Sequence, residues 1–494
     1  MSAASPPTHP LTQAQLALQQ GRPADALIPL EALHRQGRRS ASSSLLAANA
    51  RWVLGQADGA LEDLAAAVAL EPSNPSAHLY RGLLLKERGR PGEALASLDR
   101  VLALVPGQPV ALLNKGAVLQ SLARLDEARR CYEGVLKAEP ANALPHAYLG
   151  LLDAHAGDTA AARRRYERAL SLDPQCAVAH DLLSRLALAS GDFATGWAHY
   201  EWRFAHRPDA WARALQGQPA WAGQADARLL VVGEQGVGDQ ILHATLLAEL
   251  AQRVRIERVL LPAKLLPLMQ RAHPQLAFGD LADPSPPTGW SHVLRLGSLG
   301  RWLRPDPAAF ADQPVATLQD DPARTQALRQ RPELRGPRVV GLSWRSAQPE
   351  VGREKSMGLL EMVQALQPLP GVSFVNLQYG AVADEIEQVR RELGVTVHAV
   401  PGVDPFDDLD SLASLMRCCH AVVSTSSSTA HLAGALGADT WLLVPAGYGR
   451  LWYWHEHGGR CLWYPSVRVL AQSRQGQWDE PLASARAALD ETLP

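Results

Sequence analysis

The chain has 494 residues, a formal net charge of −2, 47% hydrophobic and 20% charged residues, which is length for about three domains and ample material for buried cores. The balanced charge gives no electrostatic footprint for nucleic acid or an anionic membrane surface, and no uninterrupted apolar run approaches the ~18 residues of a membrane span. Five cysteines (Cys131, Cys176, Cys418, Cys419 and Cys461) form neither a paired metal-ligand spacing nor a disulfide framework. The start, MSAASPPTHPLTQAQ, lacks the charged beginning and apolar core of a signal peptide, so a soluble, cytoplasmic protein is expected.

Prolines recur at Pro72, Pro106, Pro140 and Pro174, a spacing of 34 residues. On the same period run Gly21, Gly55, Gly89, Gly157 and Gly191, with Ala123 in the vacant slot. Two further tracks are Gly82, Gly116, Gly150 and Ala26, Ala60, Ala94, Ala128, Ala162. Four tracks in one register predict a helix pair per unit. The Gly82 and Ala94 positions sit where two helices approach closely, the Gly89 position ends the first helix, and the proline closes the second. Period and small-residue pattern resemble the tetratricopeptide repeat over roughly residues 7–205. The first unit departs from the pattern at Ala14, where glycine is usual. The last, Gly191 through Trp197 and Tyr200 to Phe204, is aromatic-rich and is expected to dock on the neighbouring domain. Such an array stacks into an α-solenoid with a concave groove. The resemblance implies a protein or peptide partner in that groove; a rigid spacer or dimerisation element is the other reading. Asn114 and Lys115 stand on a first helix, facing either groove or solvent.

Between residues 206 and 227 the periodicity is lost, yet Trp211 and Trp221 predict a packed linker rather than a free one. Leu229-Leu230-Val231-Val232 then reads as a buried strand, followed by the glycine turn Gly233-Glu234-Gln235-Gly236-Val237-Gly238 and, after Asp239, an apolar-periodic helix. Strand, glycine turn and helix are how an α/β fold opens a ligand crevice. The turn lacks the Gly-Lys-Ser/Thr of a P-loop, and its glycines run G-x-x-G-x-G rather than G-x-G-x-x-G. An aspartate at the helix start would also repel a pyrophosphate there. This loop, with Gly236, Gly238 and Gln240, is therefore expected to approach an uncharged acceptor. Asp239 is either a helix N-cap or a general base, and both roles are compatible. Further strands are predicted at Val259–Pro262 and His292–Leu296, with a helix at Lys264–Arg271 between them. Residues 300–337 read as a crossing between this lobe (228–337) and a second one (338–494).

The second lobe alternates strands at Arg338–Ser346, Val372–Leu377, Val395–Val400, Ala421–Ser424, Trp441–Val444 and Val467–Leu470 with helices, which predicts a parallel sheet covered on both faces. Arg345, Arg353 and Lys355 gather positive charge after its first strand, beside Ser356. Ser424-Thr425-Ser426-Ser427-Ser428-Thr429 precedes a helix running through His431, and hydroxyls with unsatisfied N–H groups at a helix start suit a diphosphate. His431 is read either as a packed side chain or as a ligand contact. His455 and His457 alternate, poor geometry for a helical metal site, so no metal is expected.

Gly236-Val237-Gly238-Asp239, Lys355-Ser356 and His431-Leu432-Ala433-Gly434-Ala435-Leu436 together resemble a GT-B glycosyltransferase of the heptosyltransferase-like kind (family nine). With the repeats, the chain looks like the bacterial repeat–glycosyltransferase proteins and, more distantly, protein O-linked N-acetylglucosamine transferases. The fold class implied is α + α/β: a tetratricopeptide α-solenoid followed by a two-lobed, double Rossmann-like domain. The resemblance implies Asp239 as catalytic base, Lys355 as partner of phosphate charge, and Thr425 to His431 as the nucleotide-sugar loop. Arg345, Ser356, Ser426, Ser427, Ser428 and Thr429 join the expected donor site. The sequence departs from the family at Ser426, where heptosyltransferases carry aspartate, and at Met357-Gly358, where tryptophan–proline is usual. The function expected is metal-independent, inverting glycosyl transfer from a nucleotide sugar, with no cofactor and with the repeats presenting a protein or glycan. The alternative is a non-catalytic scaffold or nucleotide-sugar sensor.

Overall fold

The computed structural model describes residues 9–206, 209, 211, 214–283, 288–346, 352, 354–367, 369 and 371–492. The chain forms two compact units, residues 1–152 with 167–176, and residues 153–166 with 177–494. Among the described residues no helix is long and apolar enough to cross a membrane.

The first unit is built from antiparallel helix pairs, among them Ala41–Val53 with Ala57–Leu70, Pro75–Glu87 with Pro91–Leu104, and Pro109–Ser121 with Leu125–Ala138. Close approach explains the small-residue tracks. A Cβ on Gly82 would lie 2.9 Å from Leu98 Cγ, and one on Gly116 would overlap the Tyr132 ring. Ala26, Ala60, Ala94 and Ala128 are fully buried. The Gly89-type residues end their helices in the left-handed region, with φ of +76° at Gly55 and +66° at Gly89. Asn114 and Lys115 are both engaged on neighbouring helices: Asn114 accepts from Lys86 Nζ at 2.7 Å, and Lys115 pairs with Asp99 at 2.6 Å.

The second unit holds two parallel sheets. The first contains β1 (Arg228–Val232), β2 (Arg255–Leu261), β3 (Phe278–Asp280) and β4 (His292–Arg295) in the order β3-β2-β1-β4. The second contains β5 (Arg338–Ser343), β6 (Val372–Asn376), β7 (Val397–His398), β8 (Ala421–Thr425), β9 (Thr440–Val444) and, beyond a small β10–β11 hairpin (Glu456–His457, Arg460–Cys461), β12 (Val467–Ala471). Its order, β12-β9-β8-β5-β6-β7, is that of the doubly wound nucleotide-binding sheet. Strand β3 has only three residues, one of them Gly279, and offers no alternation to read in the sequence. β5 stops at Ser343 rather than Ser346 because the Gln378 side chain takes the next two N–H groups, those of Trp344 and Arg345, at 3.0 Å each.

The linker packs on the first sheet rather than hanging free. Val293 of β4 donates to Pro219 O at 2.8 Å and Trp221 donates to Val293 O at 2.9 Å, so the linker extends the sheet edge. Trp211 packs with Leu230, Val232 and Leu260, and Trp221 lies 5.2 Å from the Trp302 ring. The aromatic-rich end of the repeats belongs to this same unit. Phe193, Trp197 and Tyr200 join one apolar core with β1, the Val237–Ala244 helix, Phe310, Trp452 and Trp463. Trp197 donates its indole N–H to Arg304 O at 2.7 Å, and its ring fills the place a side chain on Gly300 would need. The crossing segment is tied down where Thr317 and Leu318 donate to Ala435 O at 2.8 and 2.9 Å, satisfying the end of the Ser428–Ala435 helix.

Ala123 occupies the glycine track with φ +58°, a conformation that costs an L-residue about 1–2 kcal/mol. Part of that is offset by the greater unfolded-state freedom of glycine, about 0.4–1 kcal/mol. Ala123→Gly is therefore expected to stabilise the helix array by up to about 1.6 kcal/mol. Calorimetry of the full chain should show its transition moving to higher temperature.

Candidate functional site

In open parallel sheets, ligands bind beyond the carboxyl ends of the strands where strand order reverses. The first sheet reverses between β1 and β4 and the second between β5 and β8. A cleft of about 610 Å3 lies against both points, lined from the first lobe by Gln235 to Asp239 and from the second by Ser346, Lys355, Ser426 to Ser428 and His431. Topology thus brings together segments nearly two hundred residues apart.

The first-lobe loop is held under constraint. Glu234 and Arg203 are both buried and paired, with Arg203 Nη2 at 2.6 Å and Nε at 3.1 Å from the carboxylate. Arg203 also donates to Ser298 Oγ at 2.9 Å and to Tyr200 O at 3.0 Å, while the Gly297 N–H donates to Glu234 Oε1 at 2.7 Å. The next residue, Gln235, sits at φ +62°, costing on the order of 1–3 kcal/mol at a non-glycine position. The Tyr200 hydroxyl meets its carboxamide at 3.1 Å and holds it there.

The helix after this loop begins at Val237 with Gly236 as its N-cap, which places Asp239 in the first turn rather than at the cap. Its Oδ2 accepts the Gly236 N–H at 3.2 Å. The carboxylate edge opens to the cleft while its surroundings are poorly solvated. Burial pushes its pKa up to about 6, against the downward pull of the Gly236 N–H and of Lys355. Lys355, 2% exposed, is lowered by burial to about 8, with Asp239 acting to raise it. The two line one cleft as an acid and a base whose environments bring both toward neutrality.

On the second lobe, Ser427 is the N-cap of the Ser428–Ala435 helix, yet its hydroxyl makes no capping bond. Ser427 Oγ and the neighbouring Thr425 Oγ1 and Thr429 Oγ1 are buried without a partner among the described residues. Of the three, Ser427 lines the cleft. Ser427 Oγ and the N–H groups of Ser428 and Thr429 at the helix start make a neutral donor surface suited to an anion.

His431 is packed between the lobes. Its Nδ1 meets the Tyr464 hydroxyl at 3.0 Å, its ring stacks on Trp454 at 4.5 Å, and a Cβ on Gly238 would lie 2.7 Å from its Cδ2. Burial holds its pKa well below the usual value, helped by Lys355 and His243, so the ring is neutral. Gly238 therefore answers to His431 rather than to an approaching acceptor, although one edge of each still lines the cleft.

The other residues singled out in the sequence are placed differently. Arg345 turns its guanidinium to Glu385 at 2.5 Å and to Ala381 O at 2.6 Å and does not line the cleft. Ser356 staples its loop, accepting from Ser346 N–H at 3.0 Å and donating to Gly352 O at 2.5 Å. Gln240 is 2% exposed and bonds the Gln235 carbonyl at 3.3 Å from beneath, supporting the loop rather than facing a ligand. Ser426 accepts the Trp454 indole N–H at 2.7 Å, so its hydroxyl is engaged internally. Arg353 lies outside the described residues. The cleft also takes in Asp181, Arg185, Tyr200, Arg203, Tyr379, Phe406, Trp452 and Tyr453. No local pattern marks Asp181 or Arg185; Tyr200 and Arg203 stand in the aromatic-rich end of the repeats, and the aromatic crowding at Trp452–Tyr453 is the other visible signal.

Arg203→Met is expected to destabilise the chain by about 3–5 kcal/mol, because it leaves the Glu234 carboxylate buried and unpaired. Denaturant unfolding checks this. Gly238→Ala should cost about 1–3 kcal/mol by overpacking against His431. In a double-mutant cycle, His431→Ala should relieve most of that cost, and additive losses would show that the two residues are not coupled.

Comparison with known proteins gives the repeats a family. Two tetratricopeptide-repeat models match residues 45–109 and 85–152. Protein FlbA of Caulobacter vibrioides is 31% identical over 289 residues, covering 54% of this chain, and the chain spans about half the length (48%) of that curated relative. Among solved structures, a tetratricopeptide repeat protein from Parabacteroides merdae is 16% identical, covers 40% of this chain and 79% of that one, and has a TM-score of 0.36. MamA from Desulfovibrio magneticus is 24% identical over 36% of this chain and 97% of that one, with a TM-score of 0.30. The helix pairs within residues 45–152 are tetratricopeptide repeats.

Proposed function

We propose that the second unit is a GT-B type, inverting glycosyltransferase acting on a nucleotide sugar, and that the repeats engage a protein partner that serves as acceptor or brings it. The observation that carries this reading is the pairing, across one cleft at two switch points, of Asp239 with Lys355 and the Ser427 helix start.

In the proposed reaction, an acceptor oxygen attacks the anomeric carbon while the bond from that carbon to the phosphate oxygen breaks. The electron pair leaves with the nucleoside diphosphate, and the acceptor proton passes to Asp239. Charge developing on the leaving phosphate meets Lys355 and the first-turn N–H groups, which are fixed in place before the reaction starts. This reading assigns the charge-stabilising role to those groups rather than to a metal ion. The neutral His431 contributes by holding the two lobes in register, not by charge.

A sensor reading draws support from one observation: position 426, where heptosyltransferases carry a carboxylate, is a serine whose hydroxyl is engaged by the Trp454 indole. The two readings diverge in turnover. A thermal-shift panel of UDP-, GDP- and ADP-sugars should find one that stabilises the chain, by ~2.7 kcal/mol at 100 times its dissociation constant. With that donor, Asp239→Asn should lose about 100- to 10,000-fold in turnover while keeping the shift. Equal turnover would remove Asp239 as base, and a shift without turnover in the wild type would favour the sensor. The base must be unprotonated and the lysine protonated, so kcat/KM should rise with pH through about 6 and fall above about 8.

A further inference from the structure

A second chamber, of about 910 Å3, opens at the carboxyl ends of β2 and β3, where the chain runs from Leu261 into Pro262 and from Asp280 into Leu281. It shares Asp209, Gln235 and Lys264 with the cleft, so the two spaces adjoin at the loop that leads to Asp239. Its walls are largely apolar, with Pro262, Pro267, Leu281 and Ala282 among them.

The rim has a definite sign. Six carboxylates line the chamber, those of Asp209, Glu234, Asp280, Asp407, Asp408 and Asp410, against the single ammonium of Lys264. Four have arginine partners outside the lining: Glu234 with Arg203, Asp209 with Arg295, Asp410 with Arg271, and Asp408 with Arg324. Lys264 is held against Phe406, donating to its carbonyl at 2.9 Å with Nζ 4.1 Å from the ring centre. Among the described residues Asp280 and Asp407 remain, and with Lys264 they leave the rim one negative charge in excess. Asp407 is 73% exposed and stands 3.9 Å from Lys264, while Asp280 accepts the Ala282 N–H at 3.0 Å.

We infer that this chamber is an acceptor subsite that receives an apolar side chain of a polypeptide with a lysine or arginine beside it. The inference rests on the proposed transferase function and names the substrate class of that site. A glycan would find acceptors only in the carboxylates; its hydroxyls turned to Pro262, Pro267 and Leu281 would lose water without replacement hydrogen bonds. An apolar side chain loses nothing there, and a cationic neighbour meets the charge of the rim.

The test uses the full chain and short, fluorescent serine peptides carrying either Leu-Lys or Ser-Glu beside the serine. Fluorescence anisotropy should give the Leu-Lys peptide at least tenfold tighter binding. Ala282→Trp, at an exposed position facing the chamber, should abolish that preference and leave the sugar-nucleotide thermal shift unchanged. Asp280→Asn, which can still accept the Ala282 N–H, should weaken only the preference for lysine. Equal binding of the two peptides, or a preference that survives Ala282→Trp, would overturn the subsite. Binding of maltotriose in place of the peptides, lost with Ala282→Trp, would overturn its polypeptide character. A Trp-sensitive peptide preference without any nucleotide shift would support the peptide subsite and overturn the transferase reading instead.

Discussion

The second unit depends on one buried ion pair, Arg203 with Glu234. Taking both charges from water costs several kcal/mol each, and only close geometry with every remaining donor and acceptor satisfied returns that cost. The structure meets the condition: the guanidinium reaches Glu234, Ser298 and the Tyr200 carbonyl, and the carboxylate also accepts the Gly297 N–H. Such a pair contributes less to net stability than to uniqueness. It permits one position for the end of β1 and so sets where the strained Gln235 and the Asp239 turn must lie. The cation comes from the short Arg203–His206 helix at the end of the repeats, and the anion from the glycine turn. A side chain at the end of a helical repeat thereby becomes part of the frame of an α/β site.

A second constraint acts between the lobes. His431 occupies the space that a side chain at position 238 would need, and burial keeps it uncharged. The consequence is electrostatic economy: Lys355 is the cation that faces Asp239 from the second lobe, and the helix start next to it offers neutral hydroxyls and N–H groups. Ser426 fits the same pattern, because its hydroxyl supports the Trp454 ring on which His431 stacks. An aspartate there would sit buried beneath an aromatic floor. The serine at this position is thus accounted for by local packing.

Much of this was legible from the residues. The 34-residue period marked helix pairs because small residues are required wherever two helices touch, and Gly82 against Leu98 shows that contact. Alternating buried runs marked most of the strands of both sheets, and the aromatic cluster from Phe193 to Tyr200 marked a docking surface. Asp239, Lys355 and the Ser427 helix start stand on one cleft because strand ends in such sheets converge at the switch points. Arg345, Ser356 and Gln240 look like ligand groups by proximity in sequence, and each is instead engaged by a neighbour: Glu385, the Gly352 carbonyl and the Gln235 carbonyl.

By itself, then, the sequence determined the periodicities: a helical repeat array, two alternating α/β lobes, and the turns at which their strands end. Periodicity is a local property, fixed by which face of each element must be buried. Which polar side chains meet was decided only by the tertiary structure. A hydrogen bond depends on ångström-scale placement of groups from distant parts of the chain, as Arg203 and Glu234, Gly238 and His431, and Ser426 and Trp454 demonstrate. No spacing in the sequence encodes those distances, and the chamber at the ends of β2 and β3 exists only once strands and linker have come together.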